Sequence, residues 1–141
     1  LSDTHHKLTT LRHSPFFREI PEEDLSALSE LMVFEYYKKG DTVCAIGEVA
    51  DRIFIVSSGT LSIHLKGTKK SVRQMSVGDV IGEYGLFTEE VRTADVVCEN
   101  NVVLMSLEYH RFKSFLELFP NTTYAVLRET VLRLVSLEQS S

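Results

Sequence analysis

A chain of 141 residues can bury one compact core and is too short for a multidomain machine. With 43% hydrophobic and 25% charged residues it has the composition of a soluble globular protein, which excludes wholesale disorder and collagen-like repeats. Fifteen Lys and Arg against twenty Asp and Glu leave a net charge of −5, an acidic balance that disfavours nucleic acid or an anionic membrane as the main partner.

From Leu8 to Met32 apolar residues recur at spacings of three and four, which predicts two short helices separated near Pro15. Pro21 followed by Glu22, Glu23 and Asp24 gives the second helix an acidic first turn, suited to the positive end of the helix dipole. Between Val33 and Leu107 the period becomes two. Turn signals recur at Lys39-Gly40-Asp41, Ser58-Gly59, Lys66-Gly67, Val77-Gly78-Asp79 and Asn100-Asn101. Leu61, Ile63 and Leu65 alternate with Thr60, Ser62 and His64, which predicts one apolar and one wet strand face, with His64 solvated. About eight such strands predict an antiparallel β-roll, or jelly roll, that closes on itself.

After Leu107 the helical period returns. Phe112, Phe115, Leu116 and Phe119 form an apolar face that stops at Pro120. A last helix, from about Asn121, is expected to carry Leu127, Val131, Leu134 and Val135 on one face and an i,i+4 pair of Glu129 with Arg133 on the other. The expected fold class is α+β and mainly β, a single domain over 1–141. Its parts are a helical segment at 1–32, the roll at 33–107, and two helices at 108–141 acting as hinge and lid.

Cys44 and Cys98 form no CxxC and no metal spacing, and free thiols in a cytoplasmic setting are expected. No apolar run approaches the ~18 residues that cross a bilayer, and no basic and apolar signal segment opens the chain. Because it begins at Leu1, the sequence is expected to be a piece of a longer polypeptide. Of the five histidines, His5, His6 and His13 precede the roll, His64 alternates outward and His110 falls on a helix. No metal site and no catalytic group is expected from this set, which weighs against a metal-dependent enzyme of the cupin type.

The most informative stretch runs from Gly78 to Ala94 and interrupts the strands. Gly82 and Gly85 flank Glu83 and open a single helical turn, after which Arg92 stands beside the hydroxyl of Thr93. Free backbone N–H groups at such a turn attract an anion, and an arginine grips two of its oxygens at once. A carboxylate accepts hydrogen bonds from hydroxyl groups. Together they suit a ligand with a sugar-like diol at one end and a phosphate at the other.

Here the sequence resembles the cyclic-nucleotide-binding domains of cyclic-nucleotide-dependent kinases, cyclic-nucleotide-gated channels and catabolite activator proteins. The resemblance rests on Gly82-Glu83-Tyr84-Gly85-Leu86 followed by Arg92-Thr93-Ala94, within a cassette at 82–94, and on Gly40-Asp41, Gly47-Glu48, Asp51, Phe54 and Gly59-Thr60-Leu61 upstream. It implies a ligand sensor for cAMP or cGMP with no further cofactor, passing the bound state through its C-terminal helices to effector domains of a larger host protein. The resemblance leaves that host open among a kinase, channel, exchange factor, esterase and transcription regulator, and the domain itself is expected neither to contact nucleic acid nor to insert into a membrane. Residue by residue, it gives Arg92 the exocyclic phosphate, Glu83 the ribose 2′-hydroxyl, and Gly82, Gly85 and Leu86 backbone contacts with sugar or phosphate. Thr93 adds a hydroxyl near the phosphate or a guanine amino group, with Ala94 closing the motif. Val72, Val80 and Ile81 stand as the wall beside the purine, and Val131, Arg133, Leu134 and Val135 as the lid.

Two departures accompany the match. Gly85 stands where the family usually has Ala, which keeps the backbone N–H but loosens the turn. Glu89 and Glu90 precede Arg92, and both are expected to point outward. Two other readings stay open on the residues alone: a ligand-free docking module in which Arg92 and Glu83 pair with each other, and the cupin-like enzyme.

Overall fold

The computed structural model describes residues 3–65, 73–83, 85–88 and 91–140. Helices α1 (Asp3–His13) and α2 (Glu22–Ser29) precede strands β1 (Val33–Tyr37), β2 (Thr42–Cys44), β3 (Arg52–Ser58), β4 (Leu61–Leu65), β5 (Arg73–Met75) and β6 (Val80–Ile81). The short α3 (Gly85–Thr88) follows, then β7 (Ala94–Cys98), β8 (Val102–Glu108), α4 (Tyr109–Leu118) and α5 (Pro120–Ser140). The eight strands pair antiparallel in two sheets, β1-β8-β3-β6 and β2-β7-β4-β5, the roll that the period-two pattern predicts.

Strand β3 departs from that period, because Ile53, Phe54, Ile55 and Val56 are all buried. Ile53 and Ile55 face the helices with Leu11, Phe17, Leu28 and Phe112, whereas Phe54 and Val56 face the roll interior with Leu61, Met75 and Val96. A strand covered on both faces reads as a continuous apolar run. Strand β4 departs too. Ser62 is buried and bonds Nε2 of His64 through its hydroxyl at 2.9 Å, so the expected wet face is half-covered. Leu65, on the predicted apolar face, is instead exposed.

The turns fall where the glycines stand. At Gly59, between β3 and β4, φ is +91° and a Cβ would sit 2.5 Å from the carbonyl of Asn101, so both conformation and space require glycine. The Lys66-Gly67 turn lies outside the described residues.

The first two helices form as expected, with the acidic turn in place. Phe16, Phe17 and Ile20, whose spacing read as helix, lie in the turns between them and still enter the core. Asp24 does more than face a dipole: its Oδ2 accepts a 2.8 Å hydrogen bond from the hydroxyl of Thr122 on α5, a residue with no exposure. That bond helps turn Thr122, Ala125 and Val126 inward, a stripe that continues at helical spacing to Arg133. The face expected for α5 is therefore the outer one. Leu127, Val131, Leu134 and Val135 are 59, 46, 56 and 43% exposed, and Arg133 reaches across to Glu83 instead of pairing with Glu129.

Candidate functional site

The cassette closes one end of the roll beside a cavity of about 430 Å³, within the ~300–1,000 Å³ typical of small-molecule sites. Ile63, Leu65, Met75, Val80, Ile81 and Val96 give it an apolar lining, and Gly82, Glu83, Gly85, Arg92, Thr93 and Ala94 of the cassette line it as well. Val80 and Ile81, named above for the purine wall, both line this cavity. Leu65, exposed at the end of β4, also lines this cavity.

Arg92 is fixed from several directions. Its backbone N–H donates to the carbonyl of Glu48 at 2.8 Å, and its own carbonyl accepts from the N–H of Gly47 at 2.9 Å. In the side chain, Nη2 donates to the carbonyl of Arg52 at 2.7 Å and Nη1 to the hydroxyl of Tyr109 at 3.3 Å. The guanidinium carbon lies 5.7 Å from the centroid of Phe54, within cation–π range. A guanidinium has five N–H donors, so these two side-chain bonds leave it capacity for an anion.

The strand that carries the Arg52 carbonyl is braced in turn. Arg52 Nε donates to Asp51 Oδ1 at 3.0 Å, and its Nη1 lies 3.4 Å from Glu35 Oε2. Hydrogen bonds from Arg52 hold the Asp51 carboxyl below the usual carboxylate range, and the same pairing raises Arg52.

Gly82 has φ +85°, and a Cβ there would collide with Nη1 of Arg92. Glycine at this position therefore serves the backbone and the guanidinium together. Leu86 donates its N–H to the carbonyl of Glu83 at 3.2 Å, and its side chain is buried among the helices, away from the cavity.

Glu83 and Arg92 are not partners, so the paired arrangement considered for a ligand-free module is absent from this structure. Oε1 of Glu83 accepts a 2.8 Å hydrogen bond from Nη1 of Arg133, with the two side chains 13% and 37% exposed. Arg133 also stands over the ring of Phe16 at 5.6 Å, so one side chain of α5 joins the cassette to the N-terminal segment. Of the four expected lid residues only Arg133 reaches a described residue of the cassette. Val131, Leu134 and Val135 lie on the outer face of α5 and do not line the cavity. Val72, Glu89 and Glu90 fall outside the described residues.

The pattern reading missed Tyr109, Cys44 and Ala50, which also line the cavity. It found the inward face of β4 but did not assign Ile63 and Leu65 to the site. Tyr109 stands at the junction of β8 and α4, where neither period predicts orientation. Both cysteines are free and buried, and burial raises their thiol pKa values, opposed at Cys44 by the nearby Arg92 charge.

Residues 34–118 match the family model of the cyclic nucleotide-binding domain. The chain belongs to that family. Among its relatives, cGMP-dependent protein kinase isozyme 2 (forms cD5/T2) of Drosophila melanogaster is 30% identical over 94 residues, which is 64% of this chain and 10% of the kinase. The chain thus spans about a tenth of the length of that relative. Among solved structures, the N-terminal domain of a transcriptional regulator from Streptomyces coelicolor A3(2) superposes with a TM-score of 0.83 at 26% identity, covering 93% of this chain and 94% of that one. The regulatory domain of Toxoplasma gondii PKA, solved with cAMP, gives 0.72 at 24% identity over 79% of this chain and 44% of the other. Eight antiparallel strands in two sheets with flanking helices are the β-roll of the cyclic nucleotide-binding domain.

Proposed function

We propose that this domain senses a 3′,5′-cyclic purine nucleotide by binding it unchanged in the cavity between the cassette and β4. Arg92 meets the exocyclic phosphate with a two-pronged contact. Glu83 accepts from the ribose 2′-hydroxyl with the carboxylate oxygen that Arg133 does not take. Gly82 and Gly85 lend backbone contacts at the sugar–phosphate edge, Thr93 and Ala94 complete that edge, and Val80, Ile81 and Met75 cover the purine. Leu86, whose N–H is taken by the Glu83 carbonyl, supports the turn instead. The observation that carries this reading is the placement of Glu83 and Arg92. They stand nine positions apart, face one cavity and are held by separate anchors instead of by each other.

The output is the position of α5. A nucleotide that engages Glu83 alters the balance of the Glu83–Arg133 contact, and through Arg133 it biases how α5 lies against the roll. A ligand shifts such an equilibrium only by its differential affinity for the two states, and Glu83 is where that difference arises. The partner of α5 is an effector segment of a larger, cytoplasmic host protein, so the domain's role is regulatory and not catalytic.

Titration calorimetry of the ligand-free domain with cAMP and cGMP tests the reading. Saturable binding of at least one of them, abolished by Arg92→Glu, is expected. No heat from either nucleotide at millimolar concentration would overturn it.

A further inference from the structure

Gly85 faces a side chain from another element, and the space around it is already taken. A Cβ at Gly85 would stand 2.9 Å from Cζ and 3.1 Å from Cε2 of Tyr109, and closer still to the phenol oxygen. Unlike Gly82, Gly85 does not have a positive φ, so it is space and not backbone conformation that requires glycine there.

Tyr109, which fills that space, is 7% exposed and opens α4. Its N–H donates to the carbonyl of Asp51 at 2.8 Å. Its hydroxyl donates to the carbonyl of Gly82 at 2.6 Å and accepts from Nη1 of Arg92 at 3.3 Å. One oxygen therefore touches the cassette backbone on one side and the guanidinium on the other, while the ring passes through the gap left by Gly85. The two glycines flanking Glu83 are complementary parts of one device: Gly82 leaves room for the guanidinium of Arg92, and Gly85 leaves room for the phenol that steadies it.

We infer that Tyr109 is a positioning residue for Arg92, its hydroxyl holding the guanidinium in the attitude that meets the anionic end of the ligand, with Gly85 as the space the phenol needs. This deepens the nucleotide-sensing reading and rests on it. Because the hydroxyl belongs to the first residue of α4, the aim of Arg92 is also tied to where that helix begins. Burial raises the phenol's pKa, partly opposed by Arg92, so the hydroxyl keeps its proton at neutral pH and remains a donor to Gly82.

The test uses Tyr109→Phe, which removes the oxygen and keeps the ring. Side-chain NMR of the ligand-free protein, with the Arg92 signal assigned by its loss in Arg92→Lys, reports directly on the guanidinium. In Tyr109→Phe the Arg92 signals are expected to shift and to show faster rotation about the guanidinium bonds than in wild type. Titration of cAMP and cGMP should show affinity reduced about tenfold in Tyr109→Phe. The further penalty of Arg92→Lys should be smaller in that background than in wild type, because the two changes disrupt one geometry. A merely structural tyrosine would lower the melting temperature and leave both the Arg92 signals and the Lys penalty unchanged, which would overturn the inference.

A second cycle reads the fit of the phenol by thermal melts without ligand. Gly85→Ala is expected to lower the melting temperature in wild type and to cost little in a Tyr109→Leu background. Equal losses in both backgrounds would overturn the role assigned to Gly85. If the wild-type domain bound neither nucleotide, the sensing reading would fail, while the NMR comparison and the melts would still decide whether Tyr109 sets Arg92.

Discussion

Arg92 and Glu83 line the same cavity, but different parts of the molecule hold them. Arg92 is anchored by a strand carbonyl, the ring of Phe54 and the backbone of the Gly47-Glu48 turn, all in the roll, and by the Tyr109 hydroxyl where β8 meets α4. Glu83 is held from outside the roll, by an arginine on a helix whose second half exposes Leu132, Leu134 and Leu137. The difference separates two tasks. A side chain set by a closed roll is ready for its ligand before the ligand arrives, and little ordering cost is left for the binding step. A side chain set by a contact with a distant helix can report the ligand's arrival, because the ligand and the helix act on the same carboxylate.

This contrast is broken most severely at Arg92. Arg92→Glu is expected to abolish nucleotide binding by placing a carboxylate against the phosphate. Arg92→Lys should weaken binding about ten- to a hundredfold, since a point-charge ammonium cannot keep the two-pronged contact, which contributes roughly 1.5–3 kcal/mol. Calorimetry of the two variants measures both effects, and for neither should the position of α5 in the ligand-free protein change.

Glu83→Ala comes next, with a loss of about tenfold, because the ribose contact is one hydrogen bond to a charged group. It should also release Arg133, so limited proteolysis of the ligand-free protein should cut α5 faster. Arg133→Ala sharpens the contrast further. With the arginine 37% exposed, solvent screens the ion pair and its contribution stays within about 1 kcal/mol. The expected change in affinity is a few-fold, and stopped-flow measurements should place it mainly in faster release and hardly at all in capture.

Thr93 borders the cavity beside Arg92, and on the proposed reading, with its hydroxyl near a guanine amino group, Thr93→Ala is expected to weaken cGMP a few-fold more than cAMP. Equal weakening of both nucleotides, read by competition, would confine Thr93 to the phosphate edge.

The smallest effect belongs to Asp51. Its folded pKa is lowered by hydrogen bonds from Arg52, so its contribution to stability is present above the unfolded value of about 4 and fades as pH falls through the folded value. Melts of wild type and Asp51→Asn should differ slightly at neutral pH and converge in acid. Its side chain is 65% exposed, which keeps the difference small.

How far the sequence discloses these arrangements depends on the element. The roll was legible because alternation and turn glycines report a half-buried strand directly, as at Gly59. Strand β3 hid its orientation, since Ile53 to Val56 are buried on both faces and no alternation survives. Helix α5 misled for another reason. Its largest apolar residues lie outside, and its inner stripe consists of Thr122, Ala125, Val126 and the long-reaching Arg133. A hydroxyl bonded to Asp24 and a guanidinium bonded to Glu83 turn the helix inward, with Ala125 and Val126 as the whole of the stripe's buried apolar signature. In the cassette, the spacing of Gly82, Glu83 and Arg92 pointed to one cavity, but the partners of the charged groups did not follow from spacing. Arg133, Tyr109 and the carbonyl of Arg52 come from 50, 17 and 40 positions away along the chain.

The central claim is that a nucleotide held at Arg92 and Glu83 is felt at α5, and hydrogen exchange of the free and the nucleotide-saturated domain tests it most directly. The account predicts a change in protection in two places, a rise at the cassette, residues 82–94, and an altered pattern along α5 from Pro120 to Ser140. With Arg133→Ala the cassette should still gain protection while the change along α5 largely disappears. A wild-type response confined to the cassette, with α5 unchanged at full saturation, would contradict the account and leave Arg133 as packing alone.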